Sequence, residues 1–575
     1  MKKYLSVLLS CVLLFTAIPF AVNAEQDETL RIAVASDLHY NEPRTEIAQP
    51  ETSEILAIDD DIFWYANRRA AMEDESGFII DEFLADCELN DCDFVLIPGD
   101  LADNGKSRPE DHRAVAEKLA KFEERTGKQV FIIDGNHDCG TGDCATTPEL
   151  FREIYADFGW DNAIDTRDDD LSYTANLGEK YRLIALDSCA YDKSTEDGMS
   201  TQKVKWVVNE AKKAIEEGRY PILMMHHNLL DHMPLQRIIN RNFIVRFHYS
   251  TAAAFANAGI KIVLTGHEHC SDTTSYTTTL GNTIYDFANT SLTMYPLCYK
   301  VFDFTEDEIT YTTQTIDSIN LVALTNTVDG YMLEQVTLME KLGMNEYSRL
   351  FLKAGVKYRL ELSLTPEKLG VDEDSIFADL VYTAVNRLTE LLNMPLYGEN
   401  SASEIASEFG IEIPESDYET GWDLATSLVA MHYAGEENAD LDSVEVEILL
   451  KMLALILRDD LAGVNDKVFL SAANELFNNN GTDGISTSLS KKFHSIFGGV
   501  NAGEYFVIAL ISPFLYEFGF DSDGVNDNNG VIDGYGKEVD SFTAFCNKLS
   551  GILDNILLYF TFFMKYAGKI IGIGV

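Results

Sequence analysis

Five short segments of this 575-residue chain carry residue types that hold metal ions. They are Ser36-Asp37-Leu38-His39, Pro98-Gly99-Asp100, Gly135-Asn136-His137-Asp138, Met225-His226-His227-Asn228 and Gly266-His267-Glu268-His269. Each follows directly on a short apolar run. Singly the signals are weak: a histidine after a strand is usually a satisfied structural histidine, and Gly-Asp is a common turn. Together and in order they are strong. The carboxyl ends of the strands in an α/β sheet form the ligand crevice, so residues distant in sequence meet there. The glycines suit tight turns that let side chains and backbone approach a small ion.

The elements that must position these segments read as an α/β alternation from Leu30 to Thr315. Near-continuous apolar runs, as expected of strands buried on both faces, cover Leu30 to Ala35, Phe94 to Ile97, Val130 to Ile133, Tyr181 to Leu186, Ile222 to Met225 and Ile260 to Leu264. Thr283 to Phe287, Lys300 to Phe304 and Ile309 to Thr315 read as further strands, and Pro109 to Glu124 and Lys203 to Glu217 as helices between them. Beyond about Asn320 the texture changes. In Ala378 to Leu392 the residues Leu380, Val381, Ala384, Leu388 and Leu391 share one helical face, and Val444 to Arg458 is a similar helix.

The ordered set of five segments resembles the calcineurin-like metallophosphoesterase superfamily, whose signature runs D-x-H, G-D, G-N-H-[DE], H, G-H-x-H. The resemblance covers about Arg31 to Phe304, and the acidic insertion after His39, the His226-His227-Asn228 block and the Ser291-Leu292 stretch look most like secreted bacterial members near the cyclic-nucleotide phosphodiesterase branch. It implies a four-layer αββα sandwich followed by a mostly α-helical C-terminal domain. Residues 1–24 would be a signal peptide, 25–318 the catalytic domain and 319–575 the helical domain. By the same resemblance Asp37, His39 and His269 hold a first metal, Asn136, His226 and His267 a second, and Asp100 bridges them. Imidazole, carboxylate and amide donors of this kind suit Mn, Fe or Zn better than an all-oxygen calcium cage. Two such divalent ions would clamp a phosphoryl group and hold between them the hydroxide that attacks phosphorus. His137 would contact the phosphate and protonate or stabilise the leaving oxygen, oriented by Asp103. A purple acid phosphatase has a metal-binding Tyr where this chain has Asp103, and a protein phosphatase has Arg where it has Asn104. Both subfamilies are therefore disfavoured. Ser36 reads as a turn residue rather than a nucleophile, and His112 as a surface or core residue. His232 and His248 could border the pocket, but nothing in their spacing shows it.

Composition bounds the partners. Lys and Arg total 44 against 94 Asp and Glu, a net charge of −50. Such a surface repels nucleic-acid backbones, so the expected substrate is a small phosphate ester and not a nucleic acid polymer. Met1-Lys2-Lys3, the apolar run Leu5 to Val22 and the small-residue exit at Ala24 read as a secretory signal, with an uncleaved anchor and a lipoprotein at Cys11 as competing readings. The mature protein is then secreted or extracytoplasmic with no integral membrane span, and cell-surface association is left open. Of nine cysteines, Cys87 with Cys92 and Cys139 with Cys144 are close enough in sequence for local disulfides, the second of which would staple a Gly-rich loop. The stretch Asp521 to Asp533 is dense in Asp, Asn and Gly, but Val525 breaks the register of a calcium loop, leaving a solvated loop. Asp554, Lys565 and Lys569 interrupt the apolar tail Ile552 to Val575, which reads as a core helix. The alternative function is an extracellular binding protein that keeps the metal centre as a scaffold and uses the helical half to engage a partner or cell wall.

Overall fold

Central strands buried on both faces divide their alternate residues between two cores. The structure, a computed structural model, describes residues 29–43, 70–192, 196–233, 236, 241–328, 330–364, 378–459, 461, 464, 514–515, 518–521 and 524–536. The segment expected to be a signal peptide, most of the insertion after His39 and the tail from Ile552 lie outside the described residues.

A six-stranded sheet contains β1 (Leu30–Val34), β2 (Phe94–Pro98) and β3 (Gln129–Ile133) in parallel, with β11 (Cys298–Phe304) antiparallel beside β1. A seven-stranded sheet is built around β6 (Tyr181–Leu186), β7 (Tyr220–Met225), β8 (Ile262–His269) and β10 (Thr283–Thr290), also parallel. The pleat sends Leu183 and Ala185 of β6 into the core shared with the first sheet, where Val95, Ile97 and Ile132 lie. Ile184 and Leu186 point the other way, into a second core with Val204, Val207 and Ala211 of the helix Thr201–Glu216 and with Phe255 of the helix His248–Asn257. The helices Ser76–Leu89 and Pro109–Thr126 contribute Ile79, Phe83, Val115 and Leu119 to the core of the first sheet. The order is therefore helix, sheet, sheet, helix, as the resemblance implied. Pro109–Thr126 shows how local sequence sets an element: Pro at the first turn, Glu110 and Asp111 beside the positive end of the dipole, and Gly127 at φ 71° closing the last turn.

The nine strands and four helices expected from the sequence are present, with ends shifted by a few residues. β8 runs to His269 rather than stopping at Leu264, so the last metal-type segment lies on the strand itself. Three further strands of the seven-stranded sheet were not anticipated: the two-residue β4 (Asp165–Thr166), β5 (Tyr173–Leu177), and β9 (Asp272–Thr277), whose polar, Thr-rich sequence has no apolar run. Cys139 and Cys144 are separate thiols, as are Cys87 and Cys92. The Cys139 sulfur is turned inward, 4.0 Å from Asp134 Oδ2, so the loop is not stapled there.

The helical half follows β12 (Glu308–Thr315) and has its own core, in which Leu380, Val381, Leu391, Leu424, Leu450 and Leu453 meet. Late in the chain it returns to the first sheet. β13 (Asn529–Asp533) pairs antiparallel with β12, from Thr312 with Asn529 to Glu308 with Asp533. Part of the stretch expected to be a solvated loop is thus an edge strand. Tyr535 then stacks on Tyr220 with ring centroids 4.9 Å apart and donates to Pro221 O at 2.6 Å. Replacing Tyr535 with Ala removes a stacked pair and a hydrogen bond, together about 2 kcal/mol. A correspondingly lower midpoint in chemical denaturation is expected, and an unchanged midpoint would mean that Tyr535 does not anchor the returning strand. Among the described residues no helix is long and apolar enough to cross a membrane.

Candidate metal centre

The five signature segments sit at or just beyond the carboxyl ends of β1, β2, β3, β7 and β8, and the backbone there is strained. Asp37, His39, Asp100, His267 and His269 all have positive φ, between 41° and 71°. They are half of the ten non-glycine residues in that region among the described residues, a concentration typical of sites where geometry outranks local comfort. Hydrogen bonds between segments hold the turns. Asp37 N donates to Gly99 O at 3.1 Å, His39 N to Asp100 O at 3.0 Å, and His267 N to Asp37 Oδ2 at 3.0 Å. Glycine is required where the segments touch. A Cβ on Gly99 would lie 2.7 Å from His226 Nδ1, one on Gly135 would overlap the Asp100 carboxylate, and one on Gly266 would overlap Ser36 Oγ and Asp37 Oδ2.

All seven expected ligands come together. In the first group Asp37 Oδ1 lies 3.2 Å from His269 Nε2 and 3.8 Å from His39 Nε2, the two imidazole nitrogens are 3.1 Å apart, and Asp100 Oδ2 is 3.9 Å from His39 Nε2. In the second, His226 Nε2 is 3.4 Å from Asp100 Oδ2 and 3.0 Å from Asn136 Oδ1, and His267 closes the group. Donors each about 2.1 Å from one ion at tetrahedral angles lie about 3.4 Å apart, so these spacings fit a shared cation. Asp37 Oδ1 is buried without a hydrogen-bond partner, an orphan that a cation would satisfy. Asp100 belongs to both groups, and the residues therefore fit a pair of divalent ions.

The charges agree. Burial works against ionisation of Asp100, but His226 and His137 outweigh it and hold the carboxyl well below its usual range. Burial would likewise lower His226, yet Asp100 pushes it up to about 10, so without a cation this imidazole carries a proton that a bound ion would displace. For His267, burial and the neighbouring His227 and His226 push the imidazole well below its ordinary value, which keeps its nitrogens available as donors.

His137 is half-buried beside the shared carboxylate, with its backbone N–H donating to Asp100 Oδ1 at 2.8 Å. Its Nδ1 lies 2.8 Å from the Asp103 backbone oxygen. The Asp103 carboxylate also reaches His39, with Oδ1 3.2 Å from Nδ1, a charge contact without hydrogen-bond angles. Asp103 therefore touches two histidines of the site, where the sequence pointed to one.

Other residues fall outside the two groups. Asp138 braces the site, accepting from Leu101 N and Ala102 N with one oxygen and from Gly135 N with the other. His112 is a buried core residue between Tyr155 and the Asp138 carbonyl. His232 is buried against Asp272 at 2.6 Å and Asp286 at 3.2 Å, and His248 faces Asp231 at 3.3 Å. His227 bonds Ser188 at 2.9 Å. Ser36 Oγ is 3.4 Å from Pro98 O, in keeping with a turn residue. Asp134, Asp187 and Cys189 also lie close together, but the Lys203 ammonium, 3.5 Å from Asp187 Oδ1, already balances that group. Two neighbours of the ligands carried no signal in the sequence: Phe243, whose ring stacks on His267 with centroids 4.4 Å apart, and Met294, whose sulfur is 3.2 Å from His269 Nδ1.

A family model described as calcineurin-like phosphoesterase matches residues 30–271. No curated protein matches the chain. Among solved structures, a dimetal phosphatase from Danio rerio is similar at 11% identity and a TM-score of 0.35, covering 50% of this chain and 96% of that one. A purple acid phosphatase from yellow lupin seeds is similar at 10% identity and a TM-score of 0.31, covering 50% and 52%. The NAD nucleotidase of Haemophilus influenzae is similar at 11% identity and a TM-score of 0.27, covering 58% and 60%.

Proposed function

We infer that residues 30–271, which match the calcineurin-like phosphoesterase family model, form a dinuclear metallophosphoesterase domain, and that the chain hydrolyses small phosphodiesters or phosphomonoesters outside the cytoplasm. The observation that carries the reading is the pair of donor groups sharing Asp100 at the ends of five strands. Asp37, His39 and His269 are assigned to one ion, Asn136, His226 and His267 to the other, and Asp100 to both. Bound there, two divalent ions such as Mn, Fe or Zn supply Lewis acidity that polarises phosphoryl oxygens and activates water.

The chain's own residues orient the ester and manage the proton. The Asp103 carbonyl 2.8 Å from His137 Nδ1 can only accept, so Nδ1 carries a hydrogen and Nε2 is the atom that gives a proton to the leaving oxygen. Attack by water directly on phosphorus needs no protein nucleophile. The net charge of −50 favours a small ester held by the metal centre over a polyanionic strand. The extracytoplasmic location rests on the basic head, apolar run and small-residue exit of residues 1–24.

The test is hydrolysis of chromogenic aryl phosphate mono- and diesters by full-length protein stripped with a chelator and reloaded with manganese, zinc or iron. Turnover that vanishes on stripping and returns on reloading is the expected result. Absence of turnover with every metal, in protein that binds two ions, would favour the binding-protein alternative.

A further inference from the structure

The imidazole of a metal-binding histidine is usually aimed by a carboxylate or carbonyl that accepts from its other nitrogen. His226 follows this pattern, with Nδ1 2.9 Å from Pro98 O. His269 does not. Its Nδ1 faces the thioether of Met294 at 3.2 Å. A thioether accepts and cannot donate, so the hydrogen sits on Nδ1 and the Nε2 lone pair is left toward Asp37 and His39.

What holds Met294 comes from two directions. On one side its segment is pinned to the end of β1: Leu292 N donates to Ser36 O at 3.0 Å, and Ser291 Oγ to the Asp37 carbonyl at 2.8 Å. On the other, Met294 is buried in one apolar cluster with Leu352 and Val356 of the helix Met344–Ser363 and with Val429, Ala430 and Tyr433 of the helix Gly421–Ala434. The same helix reaches the chain just past His269. Ser271 N donates to Tyr433 O at 3.1 Å, and Asn528 Nδ2 donates to Ala434 O at 2.8 Å while its Oδ1 accepts from Ser271 Oγ at 3.0 Å.

Resting on the ligand assignment above, we propose that Met294 is a positioning residue for His269 and that the helical half, by packing against Met294 and Ser271, is a structural part of the first cation site. A helical half of this kind braces the metal centre from behind, and cation binding and helix docking stabilise each other.

The experiment uses full-length protein, stripped and titrated with manganese, with free Mn2+ read by electron paramagnetic resonance and amide hydrogen exchange followed over residues 421–434. Met294→Leu keeps the apolar volume and removes the acceptor, a change cores tolerate. Manganese affinity at one of the two sites is expected to fall by about 10- to 100-fold, with the other site unchanged. Leu352→Ala, which leaves Met294 in place and loosens its backing, should weaken the same site. In wild type, manganese should slow exchange in the helix Gly421–Ala434, and in Met294→Leu that protection should be lost. Wild-type affinity in Met294→Leu overturns the positioning role. Loss in Met294→Leu with none in Leu352→Ala overturns the role of the helices. Asp37→Asn is the control that separates the two layers: if it also binds two manganese ions as wild type does, the ligand assignment itself has failed.

Discussion

Replacing Asp100 with Asn is expected to leave a folded protein whose metal-dependent hydrolysis of a chromogenic phosphate ester is slower by at least about 10³-fold. Asn is isosteric, and its side-chain oxygen can keep the hydrogen bond that Asp100 Oδ1 accepts from His137 N at 2.8 Å. The loops therefore stay joined. What disappears is the negative charge common to both donor groups, together with an oxygen able to serve two cations at once. Removing a single neutral donor from an anion-stabilising set already costs about 10²- to 10³-fold. Loss of the shared anionic ligand should exceed that, about 4 kcal/mol of barrier or more. The measurement is kcat/KM with excess manganese, paired with circular dichroism and a thermal melt. Activity within tenfold of wild type in a normally folded variant would remove Asp100 from the assigned role.

Replacing His137 with Ala should lower kcat/KM by about 10²- to 10⁴-fold on an alkyl phosphate, the range for losing a general acid. The size should depend on the leaving group. An alkoxide must be protonated as it departs, whereas a nitrophenolate leaves unaided, so the loss on nitrophenyl phosphate should be markedly smaller. That difference separates proton donation from mere contact with the phosphate, because a purely electrostatic contact would be missed equally by both substrates. Equal losses on the two esters would leave His137 as a phosphate contact and overturn its assignment as acid.

Several parts of the site were legible in the residues because the signals are local. A strand buried on both faces is apolar nearly throughout, and Tyr181–Leu186, in which Arg182 is the one charged residue, and Ile222–Met225 are recognisable on that ground. A turn that admits an ion needs glycine, and Gly99, Gly135 and Gly266 stand where any side chain would collide with His226, Asp100 or Asp37. The ordered carboxylates, amide and histidines after those strands were expected to meet, since parallel strands present their carboxyl ends to one crevice, and the choice of seven donors among them is what the family resemblance implied.

Tertiary structure decided what depends on partners far away in the chain. Asn529–Asp533 is a polar stretch among turn-formers, and it is a strand only because the edge of β12 offers it hydrogen bonds. Cys139 and Cys144 are near in sequence, yet the Cys139 side chain turns inward toward Asp134, which no spacing rule reveals. Nothing in its local sequence marks Met294, and its sulfur meets His269 because Ser36, Asp37 and two distant helices place it there. Residue type and short-range periodicity set which groups can bind a cation and which strands carry them. How each imidazole is aimed is a matter of a few tenths of an ångström, and that is settled by packing between segments whose contact energy exists only once the chain has folded.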